Sequence, residues 1–446
     1  MIFLLTILLP FISSPAPAGD IEIDIKVQRH ILDNGLKILT LEDHSVPVIS
    51  YYTFFRVGSR NEYPGITGIS HLFEHMMFNG AKKYGPKEFD RVLESNGGYS
   101  NAYTTKDITV YYEVFPSDKL EIILDLETDR MADLSLIEET LKSEREVVKE
   151  ERRLRTENSI FGLTRENLFA AAFFSHPYMW PVVGWMSDLN RITLKDCKEY
   201  FKTYYAPNNA TVVIVGDFDT EKAISLVKKY YSRIRSQTPP APVRTEEAVQ
   251  RGERRVKVYK TSEMAALMIG YHVPSVSSQE IFTLDIIQMI LAEGESSRLY
   301  RRLVYDKEMV PYVYAYFNWT IDPGLFYFYT RVKPGYEPEE VEREIYAELD
   351  SLSKKLVSEK ELRKAKNLLQ ADFIKNLQTN SGKANTIGRY ELLFGDWTYM
   401  KNTLSIYEEV TAEDVKELIN KYFNSYNRSV SILIPEEPAA KEVSIK

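Results

Sequence analysis

A short motif with two histidines lies at residues 71–75, which read His71-Leu72-Phe73-Glu74-His75. Residues four apart on a helix point to the same side, so these two imidazoles can hold one zinc ion at about 2.0–2.1 Å each. Glu74 lies on that side too and is placed to act as the base for a metal-bound water. The alternative, a chance pairing on a surface face, is a rare event in a chain with only 6 histidines.

The residues around this motif have the pattern of an amphipathic helix. Apolar side chains recur at the i, i+3, i+4, i+7 and i+8 positions, namely Ile69, Leu72, Phe73, Met76 and Met77. Thr67 is the expected N-cap, and Asn79-Gly80 is the expected end. The motif is therefore predicted to project from a single helix whose other face packs on a core.

Length and composition favour two globular domains. The chain has 446 residues, of which 44% are hydrophobic, and this is enough to build two substantial cores. The net charge is −8, and no basic cluster is interleaved with aromatic residues. Nucleic acid is therefore not an expected partner.

The N-terminal residues indicate export. Residues 2–12 are almost all apolar, and an Ala-x-Ala pattern ends at Ala18, so residues 1–18 are predicted to be a cleaved signal peptide. An uncleaved anchor is the alternative, and no span is expected in the mature chain. Cys197 is the only cysteine, which excludes an intramolecular disulfide and agrees with a bacterial periplasm.

A long-range repeat divides the chain in two. Thr193 and Asp196 open a segment that returns at Thr411 and Asp414, 218 residues later, and each copy reads as an N-capped helix followed by a strand. Residues 236–252 contain three prolines and no periodicity, as in a linker. We predict an α+β fold with two homologous domains, residues 19–235 and 253–446, each an antiparallel sheet with helices on one face.

A second helix, predicted at residues 136–158, offers carboxylates to the same metal. One helical stripe contains Ile137, Leu141, Glu144, Val148 and Glu151. Carboxylates on such an apolar stripe need a partner, because burying an unpaired charge is costly. The partner is either a zinc ion or a basic residue such as Arg145 or Arg152, and spacing alone does not exclude Glu150 as the ligand.

The full set of motifs resembles the M16 metallopeptidases, the inverzincin family of pitrilysin, insulin-degrading enzyme and the mitochondrial processing peptidase. Besides residues 71–75 and 144–151, the similarity extends over residues 58–62, 101–104, 176–178 and 294–299 and over Gly68 and Gly184. The length and the single pair of domains resemble the bacterial two-domain branch. The resemblance implies a zinc peptidase acting on unfolded or extended peptides.

The resemblance also implies roles for individual residues. His71, His75 and Glu151 would bind one zinc ion per chain, Glu74 would be the catalytic base, and Glu144 would support the site. Asn101 and Ala102 would lie on a strand that pairs with the substrate backbone. Tyr312 matches a tyrosine of the second domain that holds substrate, and that domain has no H-x-x-E-H motif.

One departure concerns the second domain. The arginine that accompanies this tyrosine in the family aligns with Val304, and Arg301 and Arg302 stand just upstream. We therefore expect a homodimer or a heterodimer in which a related M16 chain contributes this element. Two further alternatives are a non-catalytic scaffold subunit of an M16 complex and a peptide-binding protein whose zinc is structural.

Overall fold

The computed structural model describes residues 23–436, so the predicted signal peptide lies outside the described residues. The strands are β1 Gln28–Ile31, β2 Lys37–Glu42, β3 Val48–Phe55, β4 Tyr99–Thr104, β5 Thr109–Pro116, β6 Ala210–Gly216, β7 Arg254–Lys260, β8 Ala265–Val273, β9 Val313–Phe317, β10 Gly324–Val332 and β11 Arg428–Pro435. The helices are α1 Ile69–Met76, α2 Glu88–Ser95, α3 Leu120–Asp133, α4 Glu138–Arg152, α5 Ile160–Ala172, α6 Met186–Leu189, α7 Leu194–Tyr204, α8 Thr220–Tyr231, α9 Glu280–Ala292, α10 Pro338–Lys354, α11 Glu359–Asn376, α12 Asn380–Phe394, α13 Thr403–Glu409 and α14 Ala412–Tyr422.

The strands form two sheets with the same topology. The first has the order β1-β2-β6-β3-β5-β4, and the second has the order β7-β11-β8-β10-β9, which matches the first without β1. The helix-strand units α7-β6 and α14-β11 begin 218 residues apart, and Thr193 and Thr411 cap their helices in identical capping boxes. The predicted α+β fold with two homologous domains is confirmed.

The structure corrects the expectation of purely antiparallel sheets. β2 pairs with β6 in parallel, and β7 pairs with β11 in parallel, while the other pairs are antiparallel. The last strand of each domain, β6 or β11, arrives after a helix and not from a hairpin, so it can insert beside β2 or β7 and run in the same direction.

Each sheet is covered on its second face by a helix from the other half of the chain. α12 packs on β3 and β6 of the first sheet, and α5 packs on β8 and β11 of the second. The contact is close, because a Cβ added to Gly388 of α12 would lie 2.1 Å from the Phe54 ring. Helices on one face only were expected, but every residue of β6 is buried, and a strand buried on both sides needs cover on both.

The segment between the domains contains no helix or strand but is fixed at Glu247. The carboxylate of Glu247 accepts hydrogen bonds from the backbone N–H groups of Phe174, Ser175 and His176 at 2.9–3.0 Å. The linker is therefore held against residues 174–176 of the first half by these hydrogen bonds. Among residues 23–436, no helix has both the length and the apolar character that a bilayer crossing requires.

Candidate metal centre

The helix that carries the two histidines begins at a tight backbone contact. Gly68 is its N-cap, with φ 90°, and the Glu62 carboxylate accepts the backbone N–H groups of Gly68 and Ser70 at 2.8 Å each. The expectation that Thr67 caps this helix is therefore wrong. The Thr67 hydroxyl instead donates to Asp188 at 2.8 Å, and the carboxylate of Glu62 caps the helix.

Three side chains from two helices converge at one point. Glu151 of α4 places its Oε2 3.3 Å from Nε2 of His75 and 3.6 Å from Nε2 of His71, both on α1. One ligand atom from each of the three residues lies within 4.8 Å of the others. Among residues 23–436, no other group of three His, Cys, Asp or Glu side chains meets this condition.

The spacing and chemistry of these atoms fit zinc. Tetrahedral ligands about 2.0–2.1 Å from one zinc ion lie about 3.3–3.4 Å from each other, close to the two distances above. Two imidazole nitrogens and one carboxylate oxygen are a ligand set that catalytic zinc uses. The other oxygen of Glu151, Oε1, is 2.8 Å from the Arg155 guanidinium, so Oε2 is left to face the histidines.

Glu144 lies behind His75, on the same stripe of α4 as Glu151 and seven residues before it. Its Oε2 is 3.6 Å from Nδ1 of His75, the ring nitrogen that faces away from Glu151. Burial disfavours the His75 imidazolium, but the bonds to Glu144 and Glu151 outweigh it and raise its pKa to about 9. Burial lowers the pKa of His71 to about 4. Glu144 and Glu151 thus place negative charge on both sides of His75, as do the carboxylates that orient the histidines of metal sites.

Glu74 stands beside the ligands without joining them. It is partly buried on α1, and burial raises the pKa of its carboxyl above the ordinary value. A carboxyl with a raised pKa is a more effective proton acceptor and donor near neutral pH. The position and environment of Glu74 therefore suit a general base.

The strand predicted to hold substrate lies at an open sheet edge next to α1. β4 is the last strand of its sheet, it pairs with β5 only, and it packs against α1. Ala102 donates its backbone N–H to the side-chain oxygen of Asn101 at 2.8 Å, in an exposed hydrogen bond on this edge strand. An extended peptide could add to this edge through main-chain hydrogen bonds.

Tyr312 directly precedes β9 of the second sheet and lies in an aromatic cluster. Its ring centroid is 5.1 Å from that of Tyr314 and 6.1 Å from that of Tyr329. Val304 packs against the core of the second domain, and Arg302 is engaged by Glu344 at 2.7 Å. The structure thus brings together the predicted residues of α1 and α4, and it places Tyr312 in the other domain.

Glu150, which spacing left open as a ligand, and His176, in one of the stretches similar to the family, both lie outside the converging group. Glu150 is 59% exposed and pairs with Arg153 at 2.8 Å, away from the histidines. Nε2 of His176 is 2.9 Å from Asp322 of the second half, which is a contact between the halves. Glu62 and Arg155 were not singled out as site residues, and Arg152 was considered only as a partner of the α4 carboxylates, although all three contact or adjoin the site. Only their position beside motif residues could have signalled this.

Comparisons with known proteins agree with this architecture. Residues 37–184 match the family model described as Insulinase (Peptidase family M16), and residues 191–369 match the model described as Peptidase M16 inactive domain. The zinc protease PqqE of Helicobacter pylori is 33% identical over 409 residues, 91% of this chain and 92% of the relative. The uncharacterized zinc protease YmxG of Bacillus subtilis is 24% identical over 397 residues, 89% and 96% of the two chains.

A solved structure of a protease from Helicobacter pylori superimposes with a TM-score of 0.89 at 32% identity. The match covers 92% of this chain and 100% of that chain. The chain therefore belongs to the M16 family of peptidases, in its two-domain bacterial form. Its relatives are named zinc proteases, which agrees with the His-His-Glu group described above.

Replacement of Glu144 by Gln is expected to weaken zinc binding by about 10–100-fold, because a carboxylate behind a ligating histidine fixes its ring and raises its basicity. The measurement is the zinc dissociation constant by competition with a chromophoric chelator. Glu146→Gln is the matched control, since Glu146 is an exposed carboxylate of the same helix that pairs with Lys149. Equal affinities in the two variants would remove Glu144 from the site.

Proposed function

We propose that the chain is a zinc-dependent endopeptidase for unfolded or extended peptides, with His71, His75 and Glu151 as the ligands of one zinc ion. The observation that carries the proposal is the convergence of the two Nε2 atoms on Glu151 Oε2, from helices about 70 residues apart in sequence. When bound, zinc supplies Lewis acidity that polarises a carbonyl and lowers the pKa of water to about 7.

The protein's own groups perform the remaining work. Glu74 accepts the proton of the attacking water and passes it to the amine that leaves, a shuttle that its raised pKa favours. Glu144 holds the His75 ring from behind. The edge of β4 at Asn101 and Ala102 aligns the substrate backbone, with little demand on side-chain identity.

We propose in addition that the active form contains a second M16 chain, identical or related. The support is that Val304, partly buried against the core of the second domain, stands where the family places a substrate-holding arginine, so this half presents only Tyr312. Mass measurement of the purified protein, alone and with a related subunit, tests this point. A fully active monomer would overturn it.

The function is tested by comparing Glu151→Gln with the unaltered chain. We expect the variant to lose stoichiometric zinc and all cleavage of a mixed peptide pool, because two imidazoles alone leave the ion short of a ligand. Glu150→Gln is the control, being the same change at the adjacent exposed carboxylate.

The outcome also separates the two readings of the family resemblance. Zinc binding without cleavage, both alone and with a related subunit, would indicate a scaffold subunit. Cleavage by Glu151→Gln equal to that of the unaltered chain would contradict the proposed ligand set. The peptide pool is best made from an unfolded protein digest, since the proposal concerns extended chains.

A further inference from the structure

We propose that Arg152 is a positioning residue that fixes the separation between α1 and α4 and so holds Glu151 within reach of the two histidines. The inference rests on the proposed function, because the ligand set is the one argued above. Arg152 follows Glu151 directly and is the last residue of α4. Its side chain turns away from the ligands and is only 8% exposed.

The Arg152 guanidinium forms hydrogen bonds with two segments outside α4. One guanidinium nitrogen, Nη1, donates to the backbone oxygen of Gly184 at 2.7 Å. Nη1 and Nη2 donate to the two carboxylate oxygens of Glu166 at 3.0 and 2.9 Å. Glu166 belongs to α5, the helix that covers the second sheet. The end of α4 is therefore tied both to the loop at Gly184 and to α5.

The loop at Gly184 is in close backbone contact with the start of α1, the helix that carries His71 and His75. Gly184 has φ 77°, and a Cβ added to it would lie 2.2 Å from the carbonyl oxygen of Thr67. A Cβ added to Gly68 would lie 2.5 Å from the carbonyl oxygen of Val183. Only glycine permits both this backbone conformation and this approach, so the two segments meet main chain to main chain.

Side chains lock the same contact. The Thr67 hydroxyl accepts the backbone N–H of Trp185 at 3.0 Å and donates to Asp188 at 2.8 Å. Asp188 also accepts the backbone N–H of Gly65 at 2.9 Å. The loop and the start of α1 therefore move as one unit, and Arg152 joins this unit to the end of α4.

The consequence is a short, rigid connection between the two ligand-bearing helices. It runs from Glu151 through Arg152 and the Gly184 loop to Gly68, three residues before His71. Metal sites need their ligands held to about 0.5 Å, and a planar guanidinium gripping a carboxylate with two bonds gives more directional control than a lysine. A lysine at this position would keep the positive charge but could not form the two parallel hydrogen bonds with Glu166.

The test compares two Arg152 variants of the full chain with a remote control. Arg152→Lys keeps the charge, and the double variant Arg152→Met with Glu166→Met removes the pair without leaving a buried charge unpaired. Arg255→Lys makes the same exchange in the two-bond pair of Arg255 with Glu342 in the second domain. Zinc affinity is measured by chelator competition, and the unfolding temperature is measured on the metal-free protein.

Both Arg152 variants are expected to bind zinc about 10–100-fold more weakly, the range found when a group that orients a ligand is removed. Arg255→Lys is expected to keep the affinity of the unaltered chain. Unchanged zinc affinity in the Arg152 variants, with only a lower unfolding temperature, would overturn the inference alone. Absence of zinc binding in the unaltered chain would overturn the proposed function as well.

Discussion

Replacement of Glu74 by Gln is expected to lower kcat for peptide cleavage by about 10²–10⁴-fold while zinc content and affinity stay unchanged. Glutamine keeps the shape of the side chain but cannot accept the proton of the attacking water. Glu74 lies beside the ligands and is not among the atoms that converge on the metal position, so its loss should spare zinc binding. The measurements are peptide cleavage under saturating substrate and zinc by chelator competition.

A matched control is available on the partner helix. Glu150→Gln makes the same exchange at a carboxylate that is exposed and paired with Arg153, and it should leave kcat and zinc affinity alone. Loss of zinc in Glu74→Gln would make Glu74 a ligand and not a base. Full activity of Glu74→Gln would end its assignment as the proton acceptor.

The α1 part of the site could be read from sequence because its signal is local. His71, Glu74 and His75 lie on one helix, and helical spacing determines which side they share. Glu144 and Glu151 were recognisable for a related reason, since charged residues on an apolar stripe require a partner. Spacing left Glu150 open, and only the orientation of α4 in the structure places it in solvent.

The exchange of α5 and α12 between the halves could not be deduced from local pattern. A helix's apolar stripe shows that it packs, but not which sheet it packs on. The uninterrupted apolar run of β6 did carry a hint that both faces of the first sheet are covered. The repeat suggested two self-contained units, and the structure instead has each unit completed by the other.

The residues around the ligands were missed for the same physical reason. Glu62 caps α1 across a turn of six residues, and Arg152 reaches the backbone of Gly184, 32 residues later. Nothing in the pattern of the surrounding residues distinguishes such side chains from ordinary surface charges. Their roles depend on chain approaches that only the assembled fold defines.

Replacement of Arg130 by Met is expected to destabilise the protein by about 3–5 kcal/mol, since it leaves buried carboxylates without a counter-charge. Arg130 is 3% exposed, lies 2.8 Å from Glu113, and also pairs with Glu127. Its guanidinium stands over the Phe89 ring with 4.4 Å to the centroid, so packing is lost as well. The measurement is the free energy of unfolding in urea.

The loss of unfolding free energy caused by Arg130→Met should be larger at higher pH. Burial and the facing Glu127 raise the pKa of Glu113 well above its ordinary value, and Arg130 opposes this rise. A carboxyl whose pKa is higher in the folded state than in the unfolded state stabilises the fold at low pH, and this contribution is lost as pH rises through the folded pKa. Without Arg130 the folded pKa rises further, so the variant should lose more stability at about pH 8 than at about pH 5.

A triple variant distinguishes the two causes of the destabilisation, unpaired buried charge and lost packing. Arg130→Met combined with Glu113→Gln and Glu127→Gln removes all three charges while the amides keep the size of the carboxylates. If unpaired buried charge dominates, the triple variant should recover more than half of the lost stability and lose the pH dependence. If the triple variant were as unstable as Arg130→Met at every pH, the contacts of Arg130 with the aromatic rings would account for the loss instead.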